Sequence, residues 1–287
     1  MKALKDFFSP QESAKIYKSF DIIGDIAIVR TTSKTRKYAT VIADAIMTVH
    51  RNVKTVLAQT GSVHGDFRLR KLEFLSGENK TVTRHKEFEC LFSVDVEKCY
   101  FSPRLVYERM RIAKLVKDGE LVLNMFAGVG CFSIIAAKYS RAKRSYSIDV
   151  NPVAFEFMKE NIRLNKVYGR VIPIEADARD IIAKRLSCVA DRILMPLPEK
   201  ALEFLPHALL ALKSSGGWIH YYDFEHAWKH GSPIERVKLK VAKKLAILDV
   251  QFEITSGRIV RTTGPNWYQL VLDIKVYYVK SCDDPNM

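Results

Sequence analysis

The chain has 287 residues, 48% apolar and 27% charged, enough to bury a core in one large domain and a smaller companion. Lys and Arg number 46 against 32 Asp and Glu, and the net charge of +14 points to a polyanionic partner, nucleic acid before an acidic membrane. No apolar run reaches membrane-spanning length, and the first residues lack the apolar core and small-residue site of a signal peptide, so none is expected. The scattered cysteines Cys90, Cys99, Cys131, Cys188 and Cys282 exclude a zinc-ligand spacing, so free thiols in a reducing cytoplasm are expected.

Residues 1–16 read as a leader helix, and residues 17–100 as a small α+β domain. Within it, Phe20 to Arg30 spells strand, turn, strand, with Gly24-Asp25 at the turn. From Tyr38 to His50 the apolar residues Ala39, Ile42, Ile46 and Val49 recur at helical spacing. Strands follow at 53–57, 67–75 and 91–96, and the polar segment 76–86 has the composition of a hairpin. The boundary falls at Tyr100-Phe-Ser-Pro103.

From 101 to 287 strands alternate with helices, the pattern of a parallel doubly wound sheet. A helix over 103–116 precedes the strand Leu121-Val-Leu-Asn124. Helices are expected at 132–139, 152–165, 180–186, 201–213 and 235–245. Strands are expected to end at Asp149, Glu175, Met195 and Tyr222, with a terminal pair at 249–254 and 269–278.

The run Leu121-Val-Leu-Asn-Met-Phe-Ala-Gly-Val-Gly130, followed by an acid at Asp149, is how a strand–turn–helix–strand unit holds an adenosine-containing cofactor. The glycines admit close backbone approach, and the acid accepts from ribose hydroxyls. No third glycine completes G-x-G-x-x-G, which argues against a dinucleotide and towards S-adenosylmethionine. Asp177, after the third strand, either meets the adenine amino group or caps the next helix. Pro196-Leu-Pro198 closes the fourth strand, either as a rigid turn or as a set of carbonyls open to a planar base. Arg104, at a helix start, either donates to an oxygen that gains charge or pairs with Glu108 at i+4. Tyr221 and Tyr222 either stack on a base or belong to the core. The basic run Lys34-Thr-Arg-Lys37 suits phosphate contacts, and Lys238 to Lys244 reads as a solvated helix face.

Taken together, Phe20-Asp-Ile-Ile-Gly-Asp-Ile-Ala-Ile28, Tyr100-Phe-Ser-Pro-Arg-Leu105, Glu108-Arg-Met-Arg-Ile112, Met125-Phe-Ala-Gly-Val-Gly130, Ile148-Asp-Val-Asn-Pro152 and Ile219-His-Tyr-Tyr222 resemble the archaeal and eukaryotic tRNA (guanine-37) N1-methyltransferases over roughly residues 18–280. The resemblance implies an α/β fold: a class I (Rossmann-like) methyltransferase sheet behind the small N-terminal α+β domain. It implies S-adenosylmethionine as cofactor, held by Phe126, Gly128, Gly130, Asp149 and Asp177. It implies catalysis by Arg104 with Pro196 and Pro198, and a tRNA anticodon loop as partner, contacted by Tyr221 and Tyr222. No metal and no membrane partner are expected, and a monomer is. A sister branch transfers the 3-amino-3-carboxypropyl group in wybutosine synthesis; a non-catalytic tRNA-binding paralogue is the other alternative. Two positions depart from the family pattern: Asn124 stands for an acid, and Pro196 for the Asn of Asn-Leu-Pro. Many family members carry an extra domain that touches the tRNA elbow, and no such domain is expected in this length.

The chemistry implied is proton loss from guanine N1 to a carboxylate, with Glu199 and Asp223 as candidates, while Arg104 stabilises charge on O6.

Overall fold

The computed structural model describes residues 20–31, 36–228 and 231–279, in two compact units divided between Pro103 and Arg104. The expected leader helix and Lys34 lie outside the described residues.

In the first unit, β1 (Asp21–Ile23) and β2 (Ile26–Arg30) form the hairpin read from the sequence. Helix α1 (Ala39–Val49) packs Ile42, Ala43 and Ile46 against Ala27, Val29, Val56 and Ala58. Val49, placed by spacing on the apolar face, is 59% exposed at the last position of the helix. Strands β3 (Thr55–Gln59) and β4 (Leu72–Gly77) complete the order β1-β2-β3-β4, with β2 and β3 parallel. The strand expected from residue 67 begins only at Leu72, since Arg68 adopts a positive φ of 55°. A separate hairpin, β5 (Val82–Glu87) and β6 (Cys90–Asp95), is tied to the first turn where Gly24 N donates to His85 Nδ1 and Asp25 N to Thr83 Oγ1.

The second unit opens with a 3₁₀ turn, Pro103–Leu105, leading into α2 (Val106–Leu115). Then come β7 (Leu121–Asn124), α3 (Cys131–Tyr139), β8 (Arg144–Asp149), α4 (Pro152–Leu164), β9 (Val171–Glu175), α5 (Ala178–Arg185), β10 (Arg192–Met195) and α6 (Ala201–Ala211). The chain ends in β11 (Gly217–His226), α7 (Pro233–Ile247), β12 (Gln251–Gly264) and β13 (Trp267–Tyr278). The sheet order is β12-β13-β11-β10-β7-β8-β9. Strands β7 to β11 are mutually parallel, and β13 enters antiparallel beside β11. This is the expected doubly wound α/β sheet.

Helices α5, α6 and α7 cover one face, where Ile182, Leu205, Val237, Tyr221 and Leu272 share one core. On the other, α2 packs on α3, and Tyr222 meets Glu108 of α2. Neighbours along a strand point to opposite faces, so Tyr221 and Tyr222 join different layers. Cys90, Cys99 and Cys131 are buried free thiols. Cys188 is disulfide-bonded, which corrects the all-thiol expectation. No helix among the described residues is long and apolar enough to cross a membrane.

Candidate active site

Strand β7 lies between β8 and β10, so successive connections leave it in opposite directions. A crevice opens at such a point, at the carboxyl ends of the strands. The glycine turn follows β7, Asp149 ends β8, Asp177 follows β9, and Pro196 to Pro198 follow β10; all four stand at that edge.

The turn is built by short-range pairing. Gly128 and Gly130 have φ of 55° and 91°, where a Cβ costs on the order of 1–2 kcal/mol. Gly130 N donates to Ala127 O at 2.9 Å, and Ala127 N to Ile148 O at 2.8 Å. Asn124, wholly buried, accepts from Phe126 N and donates to Ser133 Oγ, both at 3.3 Å. An acid could accept the first bond but not donate the second, so here the amide holds the turn to α3.

Asp149 meets this turn directly. Its Oδ2 accepts from Gly128 N at 2.6 Å, and its Oδ1 from Asn151 N at 2.9 Å. Burial pushes its carboxyl up from the ordinary value, opposed by those two N–H donors. Asn151 caps α4 through Val153 N and Ala154 N, with Pro152 in the first turn.

Asp177 caps α5. Its Oδ1 accepts from Arg179 N, and its Oδ2 from Arg179 Nη2, each at 2.8 Å. That guanidinium holds the carboxyl below its usual range. Arg179 also reaches Glu203 and lies 5.0 Å over the Phe204 ring, whose partner edge-on is Phe126 at 5.0 Å. A continuous set of contacts therefore joins the glycine turn to Asp177. Its side chain is engaged by Arg179, the helix-cap alternative weighed in the sequence.

After β10, Leu197 N donates to Met195 O at 2.9 Å, closing a tight turn between the two prolines. Pro196 is partly exposed, Pro198 buried and Glu199 exposed.

Tyr221 and Tyr222 are 0% exposed, so the base-stacking expectation does not hold for either ring. The sheet is covered on both faces at their level. Tyr221 Oη donates to Asp223 Oδ2 at 2.9 Å, and Tyr222 Oη to Glu108 Oε1 at 2.7 Å. Burial raises both phenols. Asp223 is buried, paired with Lys240 of α7 at 2.5 Å. It faces the α7 side of the sheet, where Lys240 engages its carboxylate.

Sequence reasoning missed the polar network that fixes α2. Arg111 bridges Glu108, at 2.7 Å, and Asp273 of β13, at 2.6 Å. Asp273 also binds His220 Nδ1 at 2.6 Å, and His220 Nε2 lies 2.7 Å from Arg192 Nη1. A guanidinium only donates, so Nε2 accepts and Nδ1–H donates to Asp273. These residues anchor the helix whose lead-in turn carries Arg104, which is exposed. The spacing Glu108, Arg111 was visible; their partners, more than a hundred residues away, were not.

Comparison with known proteins assigns the chain to a family. The model described as TRM5/TYW2 methyltransferase domain matches residues 83–250, and that described as TYW2 N-terminal domain matches residues 1–81. The chain belongs to the TRM5/TYW2 methyltransferase family. It is 42% identical over 271 residues to tRNA (guanine(37)-N(1))-methyltransferase Trm5b of Pyrococcus abyssi, covering 94% of this chain and 78% of that protein. A complex of aTrm5 with tRNALeu superposes with a TM-score of 0.81 at 36% identity, covering 95% of this chain and 76% of that one. M. jannaschii TYW2 in complex with AdoMet superposes at 0.65 with 31% identity, covering 91% and 100%. In this chain the glycine turn and Asp149 lie at the carboxyl ends of β7 and β8.

Proposed function

We propose that the chain is an S-adenosylmethionine-dependent methyltransferase that modifies N1 of guanosine 37 in tRNA. The observation that carries the reading is the Asp149 carboxylate held 2.6 Å from Gly128 N at the switch point of the sheet. The Trm5b and tRNALeu-bound relatives support the substrate, and the AdoMet-bound relative supports the cofactor. The residues present suit that cofactor: a carboxylate with lone pairs left for ribose hydroxyls, glycines that admit close approach, and the Phe126 ring beside them.

When bound, the cofactor supplies an electrophilic methyl group. The chain supplies alignment and charge. Asp149 and the glycine turn hold the nucleoside end. Arg104 donates to guanine O6 as N1 loses its proton, and Glu199 is the carboxylate at the crevice edge that takes it. The carbonyls of Pro196 and Pro198 accept from the exocyclic amino group, in place of an asparagine amide.

Incubating unmodified tRNA with labelled cofactor, then weighing the nucleosides, tests this. One methyl on guanosine 37 is expected; an aminocarboxypropyl adduct would assign the sister activity, and no adduct a binding paralogue. Arg104→Ala should slow transfer by about a hundredfold while cofactor affinity holds. Lost cofactor binding would remove Arg104 from the chemical step.

A further inference from the structure

Strand β11 outruns its parallel neighbour. Its last partner on β10 is Met195, opposite Tyr221, yet it continues to His226, paired only with β13. At roughly 3.3 Å per residue, the segment from Tyr222 to His226 projects about 17 Å past the strand ends. Strands β13 and β12 follow it out, making a three-stranded arm on the carboxyl side of the sheet.

The register assigns the faces of this arm. Opposite residues share a face, so His226, Phe224 and Tyr222 align with Trp267, Gln269 and Val271, and these with Gly264, Arg261 and Arg258. Tyr222 and Arg258 both reach Glu108, which makes this the α2 side, the layer led in by Arg104. Beyond α2 the face carries two arginines and then aromatic rings. The Arg258 side chain is 46% exposed, and Arg261 Nε donates to Gln269 Oε1. At the tip, the His226 ring stands edge-on between Trp228, 4.9 Å away, and Trp267, 5.3 Å away. Trp228 is 65% exposed and Trp267 48%. His226 Nδ1 is buried with no hydrogen-bond partner in the structure.

Two indoles in solvent are costly unless something covers them. Guanidinium groups followed by flat aromatic faces match a phosphate backbone bearing unstacked bases. A chain of net charge +14 adds complementarity to RNA rather than to a basic peptide. We propose that the α2-side face of this arm, from Arg258 and Arg261 to Trp267 and Trp228, binds the unpaired nucleotides flanking the target base, stacking a base on the indoles. This rests on the tRNA reading above and extends it from the reacting base to its neighbours.

The test uses the full chain and two probes, a short unstructured RNA and the same sequence in a duplex. The unstructured RNA should quench tryptophan emission; the duplex should not. Trp228→Ala and Trp267→Ala should each weaken its binding about tenfold, and Trp267→Phe should restore most of the loss. Tyr168→Ala serves as control: this ring, 63% exposed, lies before the amino end of β9, at the opposite edge of the sheet. Wild-type affinity in both tryptophan variants, or equal quenching by the duplex, overturns the proposal. Self-association through the tryptophans without RNA quenching overturns it in favour of a second copy. If the arm binds unpaired RNA but guanosine 37 gains no methyl, the activity fails and the surface stands. Methylation with the tryptophans indifferent fails the surface alone.

Discussion

Asp149 joins three segments at once. Its carboxylate accepts from Gly128 and Asn151, and its carbonyl from Ala176 after β9. Only part of this was legible: an acid about twenty residues past a glycine turn is a sequence pattern, but the double N–H anchoring is not. Asp149→Asn would keep the shape while turning one acceptor into a donor facing an N–H. S-adenosylmethionine affinity should fall by about tenfold to a hundredfold, the range of a charge-assisted bond. Calorimetry checks it, and unchanged affinity removes Asp149 from the site. Tyr221 and Tyr222 show the reverse. Their position at a strand end was readable, but their burial depends on helices from elsewhere in the chain, which no local pattern reports.

At the scale of elements, the glycine turn is held open by geometry and packing together. A Cβ on Gly130 would lie 3.0 Å from Met158 Cγ and 3.1 Å from Ile134 Cδ1. Gly119 has a similar φ of 76° but open space around it. Gly130→Ala should therefore destabilise the fold by about 2 kcal/mol, and Gly119→Ala by about 1 kcal/mol, the backbone cost alone. Urea midpoints measure both; equal losses would mean that α3 and α4 give way freely. Element positions in the second unit followed from periodicity, because its parallel strands are short, apolar and separated by amphipathic helices. The long hairpin did not. Residues 255–264 are polar, with little alternation, and their strand state comes from pairing with β13.

At the scale of the whole second unit, one buried polar chain links α2, β10, β11 and β13 through Glu108, Arg111, Asp273, His220 and Arg192. Burial holds His220 below its ordinary pKa, so it is neutral in the folded state. The unfolded chain protonates at about pH 6.5 and binds more protons below that. Stability should therefore fall as pH drops below about 6.5, by up to about 1.4 kcal/mol per unit. Asp273 is held below the usual carboxylate range by His220 and Arg111. Its contribution is present above about pH 4 and is lost only in stronger acid, a separate window. Urea midpoints at pH 7 and 5.5 should differ in the wild type and much less in His220→Gln; the same difference in both would exclude His220. His207, also lowered, sits half-buried on α6 and adds a slope that the variant retains.

Alone, the sequence determined what depends on neighbours along the chain: strand and helix periods, the glycine turn, the acid at the next strand's end, the Pro and Asn that start α4, and the family these compose. Folding decided what depends on distant residues brought together. It buried the two tyrosines, paired Asp223 with Lys240, turned Asp177 to Arg179, and extended β11 into an arm whose arginines and indoles share a face. The reason is physical: local preference sets backbone conformation, whereas burial and hydrogen-bond partnership exist only after segments a hundred residues apart have met.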